Sequence, residues 1–222
     1  MQAACQAAAV RLYLSSFRLG DHPEHLVRLI DRPGPVAVVA NAMDFAAPDV
    51  RQAAVRLELD ALAEVGLAAV EVDLREHTDD AAGWLERLDR HPALWLRGGN
   101  VFVLRSALQA SGADAAIMEL VGRDRVVLAG YSAGPCVLGP TLHGLETVDD
   151  VTQVERTYGR EPVWAGLGVL AHLFVPHVDS PAHPETADCS RLAERYRREH
   201  VDHRALRDGQ ALVVEGGAER VV

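Results

Sequence analysis

Short apolar runs alternate along the chain with longer segments of helical period. The runs at 36–42 and 93–96 are almost wholly apolar, as expected of strands covered on both faces of a sheet. Further strands are predicted at 11–17, 68–74, 125–129 and 167–175. Helices are predicted at 49–65, 79–88, 101–110 and 191–200. The alternation predicts an α/β fold, with a doubly wound, mostly parallel sheet and helices on both faces.

Two further features complete the predicted elements. The segment 49–65 has the clearest pattern of an amphipathic helix, and Gly66 follows it where a helix commonly ends. Its apolar residues at helical spacing are Val50, Ala53, Ala54, Leu57, Ala61 and Val65. At the C-terminus, 211–214 and 219–222 are typical of a small β-hairpin around Gly216-Gly217.

Composition narrows the class of protein. The 222 residues are 49% hydrophobic and 24% charged, typical of one globular domain, with residues 1–10 expected to form a loose N-terminal segment. The net charge of −10 would repel a phosphate backbone, so no nucleic-acid partner is expected. Three scattered cysteines fit neither a disulfide framework nor a thiolate zinc site. Because neither a signal peptide nor a membrane span is recognisable, a cytoplasmic protein with no membrane partner is expected.

A serine stands in the sharp turn Gly130-Tyr131-Ser132-Ala133-Gly134, directly after a predicted strand. A strand, a Gly-x-Ser-x-Gly turn and a helix form a nucleophile elbow, in which small neighbours tolerate the strained serine. The hydroxyl then lies at the carboxyl edge of the sheet, where open α/β sheets bind ligands. Ser132 is therefore the candidate nucleophile. The alternative is a glycine-rich turn whose serine caps the helix.

A second glycine turn, Gly98-Gly99-Asn100, also joins a strand to a helix. In an acyl-transfer enzyme its amides would supply an oxyanion donor, although Asn100 also suits a simple helix cap.

A serine nucleophile needs a base, and His177 follows a buried strand. Asp208 lies in a turn before an apolar strand and is the candidate that orients the base, while Asp179 and Glu215 stay open from spacing alone. A metal site of His177, Asp179 and His183 is the other interpretation, but its spacing matches no known pattern, so no metal is expected.

Three segments in this order resemble the peptidase E (aspartyl dipeptidase) family: Gly98-Gly99-Asn100-Val101-Phe102, Gly130-Tyr131-Ser132-Ala133-Gly134 and Val175-Pro176-His177. The resemblance runs from about residue 11 to the C-terminus. It implies the class I glutamine amidotransferase-like fold, a flavodoxin-like parallel sheet with an added hairpin. Cyanophycinase is among the relatives of this family.

The resemblance also implies roles for residues. Ser132 would be the nucleophile, His177 the general base, and the N–H groups of Gly99 and Ala133 the oxyanion hole. The family's third triad member is a glutamate in a Pro-Glu-Gly turn, and Asp208 stands in the matching Arg-Asp-Gly turn.

The implied activity is that of a serine peptidase that hydrolyses short peptides through an acyl-enzyme, without a metal or organic cofactor. Dipeptides with an N-terminal aspartate are candidate substrates, and Arg191 and Asn100 are the candidate substrate-binding residues. The surroundings of Arg191 depart from the family's Thr-Arg-Glu-x-Arg pattern, so a solvated helix face is an equal interpretation. A non-catalytic amidotransferase-like binding module and a cyanophycinase-like hydrolase stay open as alternatives, as does a homodimer.

Overall fold

A computed structural model describes residues 10–76 and 81–222 of the chain. Its strands are β1 (Leu12–Ser15), β2 (Val36–Val39), β3 (Ala69–Glu71), β4 (Ala93–Leu96), β5 (Val127–Tyr131), β6 (Leu173–Val175), β7 (His203–Ala205), β8 (Ala211–Glu215) and β9 (Ala218–Val221). Its α-helices are α1 (Glu24–Leu29), α2 (Pro48–Glu64), α3 (Ala81–Asp89), α4 (Val101–Ser111), α5 (Ala113–Gly122), α6 (Ala133–Cys136), α7 (Gln153–Tyr158) and α8 (Thr186–Arg198).

Seven strands form the main sheet in the order β3-β2-β4-β5-β1-β8-β9. The first five of these run parallel, whereas β8 pairs antiparallel with β1 and β9 antiparallel with β8. The register sets Leu96 beside Gly130 and Ser15 beside Tyr131. The carboxyl ends of β4, β5 and β1 therefore lie side by side, which is where parallel sheets place their binding sites.

Alternate strand residues pack into two separate cores. Leu12 and Leu14 of β1 belong to the core that also holds buried residues of α3, α4, α5 and α8. Tyr13 belongs to the core on the other face, with buried residues of α1 and α2. Because neighbouring side chains of a strand point to opposite faces, the sheet is covered by helices on both sides. This arrangement confirms the predicted doubly wound α/β class, and the predicted hairpin extends the main sheet at β8 and β9.

Beside the main sheet, β6 and β7 form a two-stranded parallel sheet of their own. The predicted strand at 167–175 is therefore too long, since only its last three residues pair with another strand. The preceding part bonds elsewhere: Leu167 N–H donates to the carbonyl of Val137, and Leu170 N–H to that of Leu138. These bonds hold the segment against the residues that follow α6, where Leu170 is buried and Leu167 and Val169 are partly buried without forming a strand.

Several boundaries also differ from those predicted. Helices α1 and α5 were not predicted, because α1 has only six residues and α5 begins immediately after the left-handed Gly112 that ends α4. Helix α8 begins at Thr186, earlier than the predicted 191. The first two residues of the predicted helix 79–88 lie outside the described residues, as does most of the predicted N-terminal segment 1–10.

The buried face of α2 is not the one that its apolar pattern suggests. Val50 and Leu57 are both about half exposed, whereas the charged residues Arg51 and Glu58 are buried. Burial of these charges is possible because each has partners: Arg51 pairs with Asp44, and Glu58 accepts hydrogen bonds from two aromatic side chains on the sheet. Tertiary pairing therefore overrides the apolar periodicity.

None of the helices within 10–76 and 81–222 has the length and apolar character needed to cross a lipid bilayer. Among the described cysteines, Cys136 and Cys189 are buried free thiols, and Cys5 lies outside the described residues.

Candidate active site

Ser132 occupies the sharp turn between β5 and α6. Its backbone has φ 53° and ψ −112°, outside the regions that residues with a side chain ordinarily adopt. Such a conformation costs of order 1–3 kcal/mol and persists only when the surroundings impose it. The turn therefore has the strain of a nucleophile elbow, and the serine's side chain accepts no capping hydrogen bond from α6.

The glycines on either side of Ser132 allow this turn to pack against β4. A Cβ atom on Gly130 would lie 2.2 Å from the carbonyl oxygen of Leu96, and one on Gly134 would lie 2.3 Å from the same oxygen. No larger residue fits at either position without moving the backbone. The Gly-x-Ser-x-Gly pattern is thus required by close packing on the neighbouring strand as well as by the turn itself.

Four backbone N–H groups near this turn, those of Gly98, Gly99, Ala133 and Gly134, donate no hydrogen bond within the described part of the chain. Ala133 is the first residue of α6, and Gly99 has φ +143° in the loop after β4. Two neighbouring amides are engaged, since Asn100 N–H donates to the carbonyl of Ala42 and Ser132 N–H to that of Ser15. Gly99 and Ala133, the residues that the resemblance assigns to an oxyanion hole, are among these free amides.

Asn100 is the N-cap of α4. Its side-chain oxygen accepts hydrogen bonds from the N–H groups of Phe102 and Val103, and its amide nitrogen donates to the carbonyl of Asp150. The side chain is buried. Asn100 therefore caps α4, as the sequence also allowed. Its predicted role in binding substrate stays a prediction.

His177 and Asp208 form a close pair. Nδ1 of His177 lies 2.6 Å from Oδ1 of Asp208, so the imidazole donates from Nδ1 and its other nitrogen is the acceptor. The histidine is only 1% exposed and has φ 58° at the end of the segment that follows β6. Of the three carboxylates considered from the sequence, Asp208 is the one that contacts the histidine.

Ser16, at the end of β1, connects the members of this pair. Its hydroxyl donates to Oδ1 of Asp208 over 2.8 Å and accepts from the backbone N–H of His177, also over 2.8 Å. Ser180 accepts from the backbone N–H of Asp208. The sequence carried no signal for these two serines, because their partners are more than 20 residues away along the chain.

The second ring nitrogen of His177, Nε2, is buried and without a hydrogen-bond partner in the described residues. No hydrogen bond joins it to Ser132. Ser132 nevertheless lines one small recess together with Val175 and Pro176, the residues that immediately precede His177. In unliganded enzymes the bond between nucleophile and base is often long and shortens when substrate binds.

Two rings enclose the imidazole of His177. The ring of His183 is stacked on it, with centroids 3.5 Å apart and planes 4° from parallel, and the ring of Phe17 lies edge-on at 5.9 Å. Burial lowers the pKa of His177 below its usual value, the hydrogen bond to Asp208 raises it, and the charge of His183 lowers it again. The net lowering of the pKa favours the neutral imidazole, the form that a general base needs.

A group of possible metal ligands includes the same histidine. His177, His183 and Glu185 each have one donor atom within 4.8 Å of the other two. The parallel stacking of the two imidazoles does not let their in-plane lone pairs converge on one ion. The acidic member of the group is Glu185 rather than Asp179, which the sequence had suggested.

Two carboxylates also line the recess beside Ser132, Asp149 and Glu185. Burial raises the pKa of Asp149 to about 7, while a hydrogen bond from Val101 N–H lowers it. Burial likewise raises the pKa of Glu185. The sequence analysis missed both residues, because nothing in the local sequence brings residue 149 or 185 next to the serine turn.

The remaining candidates lie elsewhere. Arg191 is on α8 with its side chain 70% exposed, and it pairs with Asp188 of the same helix. Asp179 is exposed in the loop after His177. Glu215, on β8, faces Arg28 and Arg220. The structure thus has Arg191 on a solvated helix face, and its predicted contact with substrate stays a prediction.

Two solved structures have a fold similar to that of this chain. The crystal structure of a Listeria monocytogenes EGD-e protein assigned to peptidase E superposes with a TM-score of 0.74 at 18% identity, covering 97% of this chain and 98% of that one. A peptidase from an acI-B1 actinobacterium superposes with a TM-score of 0.69 at 17% identity, covering 97% of this chain and 88% of that one.

Proteins with similar sequences are named as peptidases. Peptidase E of Streptomyces coelicolor is 33% identical over 136 residues, which cover 60% of this chain and 52% of that protein. An uncharacterized peptidase of Listeria innocua is 31% identical over 121 residues, or 54% of each chain. The chain thus spans about half the length of the curated relatives it matches. The model of peptidase family S51 matches residues 46–222, and the chain therefore belongs to peptidase family S51.

Proposed function

We propose that this protein is a serine peptidase that cleaves short peptides, with Ser132 as nucleophile, His177 as general base and Asp208 as the group that orients the base. Membership of family S51 supports the peptidase class. The observation that carries the residue assignment is the His177 pair, in which Nδ1 is held 2.6 Å from Asp208 while Nε2 is left without a partner. An imidazole in this state accepts a proton only at Nε2.

The proposed reaction follows from these groups. Ser132 Oγ attacks the carbonyl carbon of the scissile peptide while its proton passes to Nε2 of His177. The carbonyl oxygen becomes negative and accepts hydrogen bonds from the N–H groups of Gly99 and Ala133. His177 then transfers its proton to the leaving amine, and the acyl group stays on Ser132. Water, deprotonated by His177, releases the acid and restores the serine.

Three features of the structure support this proposal. The backbone of Ser132 is held in its strained form by packing against β4, and Ser16 fixes both His177 and Asp208. Burial of the imidazole excludes water from its protonation site. These features reduce the reorganisation required on substrate binding. Specificity for an N-terminal aspartate stays a prediction from the resemblance.

The test compares Ser132→Ala with Ser106→Ala. Ser106 is a fully buried serine of α4 whose hydroxyl makes no hydrogen bond, so its loss controls for removal of a buried hydroxyl. We expect Ser132→Ala to lose at least about 10³-fold in kcat/KM on a panel of dipeptides and aminoacyl p-nitroanilides. Ser106→Ala should retain wild-type activity and labelling by a fluorophosphonate.

Two other results would contradict the proposed function. If the wild type is not labelled at Ser132 and cleaves no peptide of the panel, the protein is a non-catalytic binding module and the proposal is wrong. Release of β-Asp-Arg from cyanophycin would instead identify a cyanophycinase-like hydrolase.

A further inference from the structure

The loop after β4 is anchored by its backbone at both ends but not in its middle. Arg97 N–H donates to a carbonyl of β2 over 3.0 Å, and Asn100 N–H donates to the carbonyl of Ala42, also over 3.0 Å. Between the two anchors, no backbone hydrogen bond among the described residues engages the peptide that joins Gly98 to Gly99. Because glycine has no Cβ atom, both residues can rotate about this peptide at little steric cost. The backbone alone therefore does not fix the direction in which the peptide faces.

The side chain of Arg97 fixes this direction instead. Its Nη1 donates to the carbonyl oxygen of Gly98 over 2.6 Å. That carbonyl and the N–H of Gly99 belong to one peptide unit, which is trans, and the two groups of a trans peptide point in opposite directions. The guanidinium thus turns the Gly99 N–H away from itself, and this N–H has no acceptor within the described chain.

The same loop lies against the serine turn. A Cβ atom on Gly98 would come within 2.6 Å of the ring of Tyr131 and 3.0 Å of the Cβ of Ser132, so only glycine allows this approach. An oxyanion that forms on a substrate bound to Ser132 would be stabilised by the N–H of the loop peptide. If the peptide were rotated by half a turn, its carbonyl oxygen would take the place of the N–H and repel the negative charge. The direction of this peptide therefore matters for the proposed reaction.

Arg97 is itself held in place from the opposite side of the sheet edge. Its side chain is 14% exposed, and its Nε forms an ion pair with Oε1 of the buried Glu58 over 3.4 Å. The carboxylate of Glu58 also accepts hydrogen bonds from Tyr131 and Trp95. The guanidinium lies over the ring of Tyr131 as well, 6.0 Å from its centroid. One buried carboxylate thus connects the residue before Ser132 with the arginine that bonds the loop.

We propose that Arg97 is a positioning residue that locks the Gly98-Gly99 peptide with its N–H directed at the oxyanion. This inference rests on the proposed peptidase function and adds a residue to it. Arg97 acts through the peptide and does not contact the substrate. Because the peptide is already turned, it needs no rotation when the negative charge develops, and a preorganised donor of this kind stabilises the transition state more than a mobile one.

The test compares Arg97→Met with Arg105→Met, since methionine keeps an unbranched apolar chain and loses the donors. Arg105 of α4 is the matched control, because it also donates to a backbone carbonyl, that of Ala165, and pairs with a carboxylate, that of Asp114. The substrate is the aminoacyl p-nitroanilide that the wild type cleaves fastest. Arg97→Met should lose about 10- to 100-fold in kcat with KM within about threefold, less than the roughly 10²- to 10³-fold for complete removal of an oxyanion donor. Arg105→Met should keep kcat within about threefold.

Three further measurements separate positioning from a general loss of structure. The matching aminoboronic acid, whose tetrahedral adduct with Ser132 places a hydroxyl at the oxyanion, should bind Arg97→Met more weakly by the factor that kcat/KM loses. The acidic limb of the pH profile, which reports His177 in the proposed reaction, should not move. Arg97→Lys keeps a charged donor on a long side chain and should recover most of the lost kcat.

Arg97→Met leaves Glu58 as a buried charge without its cation and could fail to fold for that reason. The double variant Arg97→Met/Glu58→Gln removes both charges together and is measured against Glu58→Gln, with the same loss expected. A crystal structure of a variant that lacks Arg97 should show the Gly98-Gly99 peptide in a second orientation. This readout does not depend on activity.

Three results would overturn the inference: an unchanged kcat in Arg97→Met, a loss that lies in KM alone, or an equal loss in Arg105→Met with the Gly98-Gly99 peptide still in its present orientation. If Ser132→Ala is inactive in these cases, the proposed function stands and only the role of Arg97 is wrong. If the wild type cleaves no compound and is not labelled at Ser132, the proposed function fails, whereas the orientation of the peptide in Arg97→Met still decides whether Arg97 fixes it.

Discussion

At the scale of single residues, the geometry of the site depends on Asp208. The aspartate contacts Nδ1 of His177 and is itself held by Ser16 and by the backbone contact to Ser180. Aspartate is one methylene shorter than the glutamate of the family's pattern, yet it reaches the imidazole. The shorter side chain is accommodated because Ser16 and Ser180 hold the loop of Asp208 close to the histidine.

Asp208→Asn is expected to lower kcat by about 10³- to 10⁴-fold, because an amide can donate to Nδ1 and then favours the wrong tautomer of His177. Asp179→Asn is the control, since Asp179 is exposed and makes no side-chain contact with the histidine. Steady-state kinetics of both variants on one substrate measures the difference. Similar losses in the two variants would contradict the assignment of Asp208.

The pH dependence of activity is expected to follow the pKa of His177, which depends on the contacts of its ring. In the proposed reaction the active form of His177 is neutral, so kcat/KM should rise as the pH passes upward through its pKa. Because burial lowers that pKa, the acidic limb of the profile is expected below the usual 6.5 of histidine.

His183→Phe keeps a flat ring against His177 but removes the charge that lowers its pKa, and a phenyl face attracts an imidazolium. The pKa of His177 should therefore rise and the acidic limb should move to higher pH. His143→Phe, whose ring stacks on Trp164 away from the site, should leave the profile in place. A pH–rate profile that stays unchanged in His183→Phe would show that the stacked ring has no electrostatic effect.

At the scale of elements, the contact between the serine turn and the end of β4 holds the site together. Tyr131, which precedes Ser132, donates to Glu58 over 2.8 Å, and Trp95 of β4 donates to the same carboxylate over 2.9 Å. Arg97 also lies 3.4 Å from this carboxylate. The buried face of α2 thus supports the base of the turn, which explains why a glutamate occupies a position where an apolar residue would be usual.

Gly134→Ala is expected to destabilise the protein by at least about 2 kcal/mol, because the new methyl group would overlap the carbonyl oxygen of Leu96 at 2.3 Å. The backbone at Gly134 has no left-handed strain, so the effect is steric. Gly122→Ala, in α5, is the control: no atom lies within 4 Å of its new methyl, and helix propensity favours alanine. Urea unfolding measures both variants, and an unchanged free energy of unfolding for Gly134→Ala would show that α6 can move away from β4 at little cost.

At the scale of the whole molecule, the order of strands determines how stability is distributed. Strands β1 and β5 are central and fully buried, whereas β9 is an edge strand with exposed side chains. Central strands exchange their amide protons only by global unfolding, and edges exchange by local opening.

Hydrogen exchange followed by mass spectrometry should therefore show the slowest exchange for peptides of β1 and β5 and much faster exchange for β9. Protection of β9 equal to that of β5 would contradict this expectation. Such a result, if it depended on protein concentration, would instead indicate that the edge pairs with a second copy of the chain.

The sequence predicted the order of most elements because buried parallel strands are continuous apolar runs, which stand out from amphipathic helices. It failed at the face of α2, since apolar spacing does not reveal that Arg51 and Glu58 have buried partners. It also failed at 167–172, where an apolar segment bonds to the residues that follow α6 rather than pairing as a strand. Both failures occur where long-range contacts outweigh the local pattern.

By itself, the sequence determined the serine turn, the glycines around it and the histidine, because tight turns restrict residue types within a few neighbouring positions. Only the tertiary structure decided that Asp208 rather than Asp179 or Glu215 meets His177, and that Ser16, His183 and Glu185 gather around the same imidazole. These residues are contributed by the end of β1 and by loops that follow different strands. Their approach depends on strand order and on the packing of α8, which no local spacing encodes.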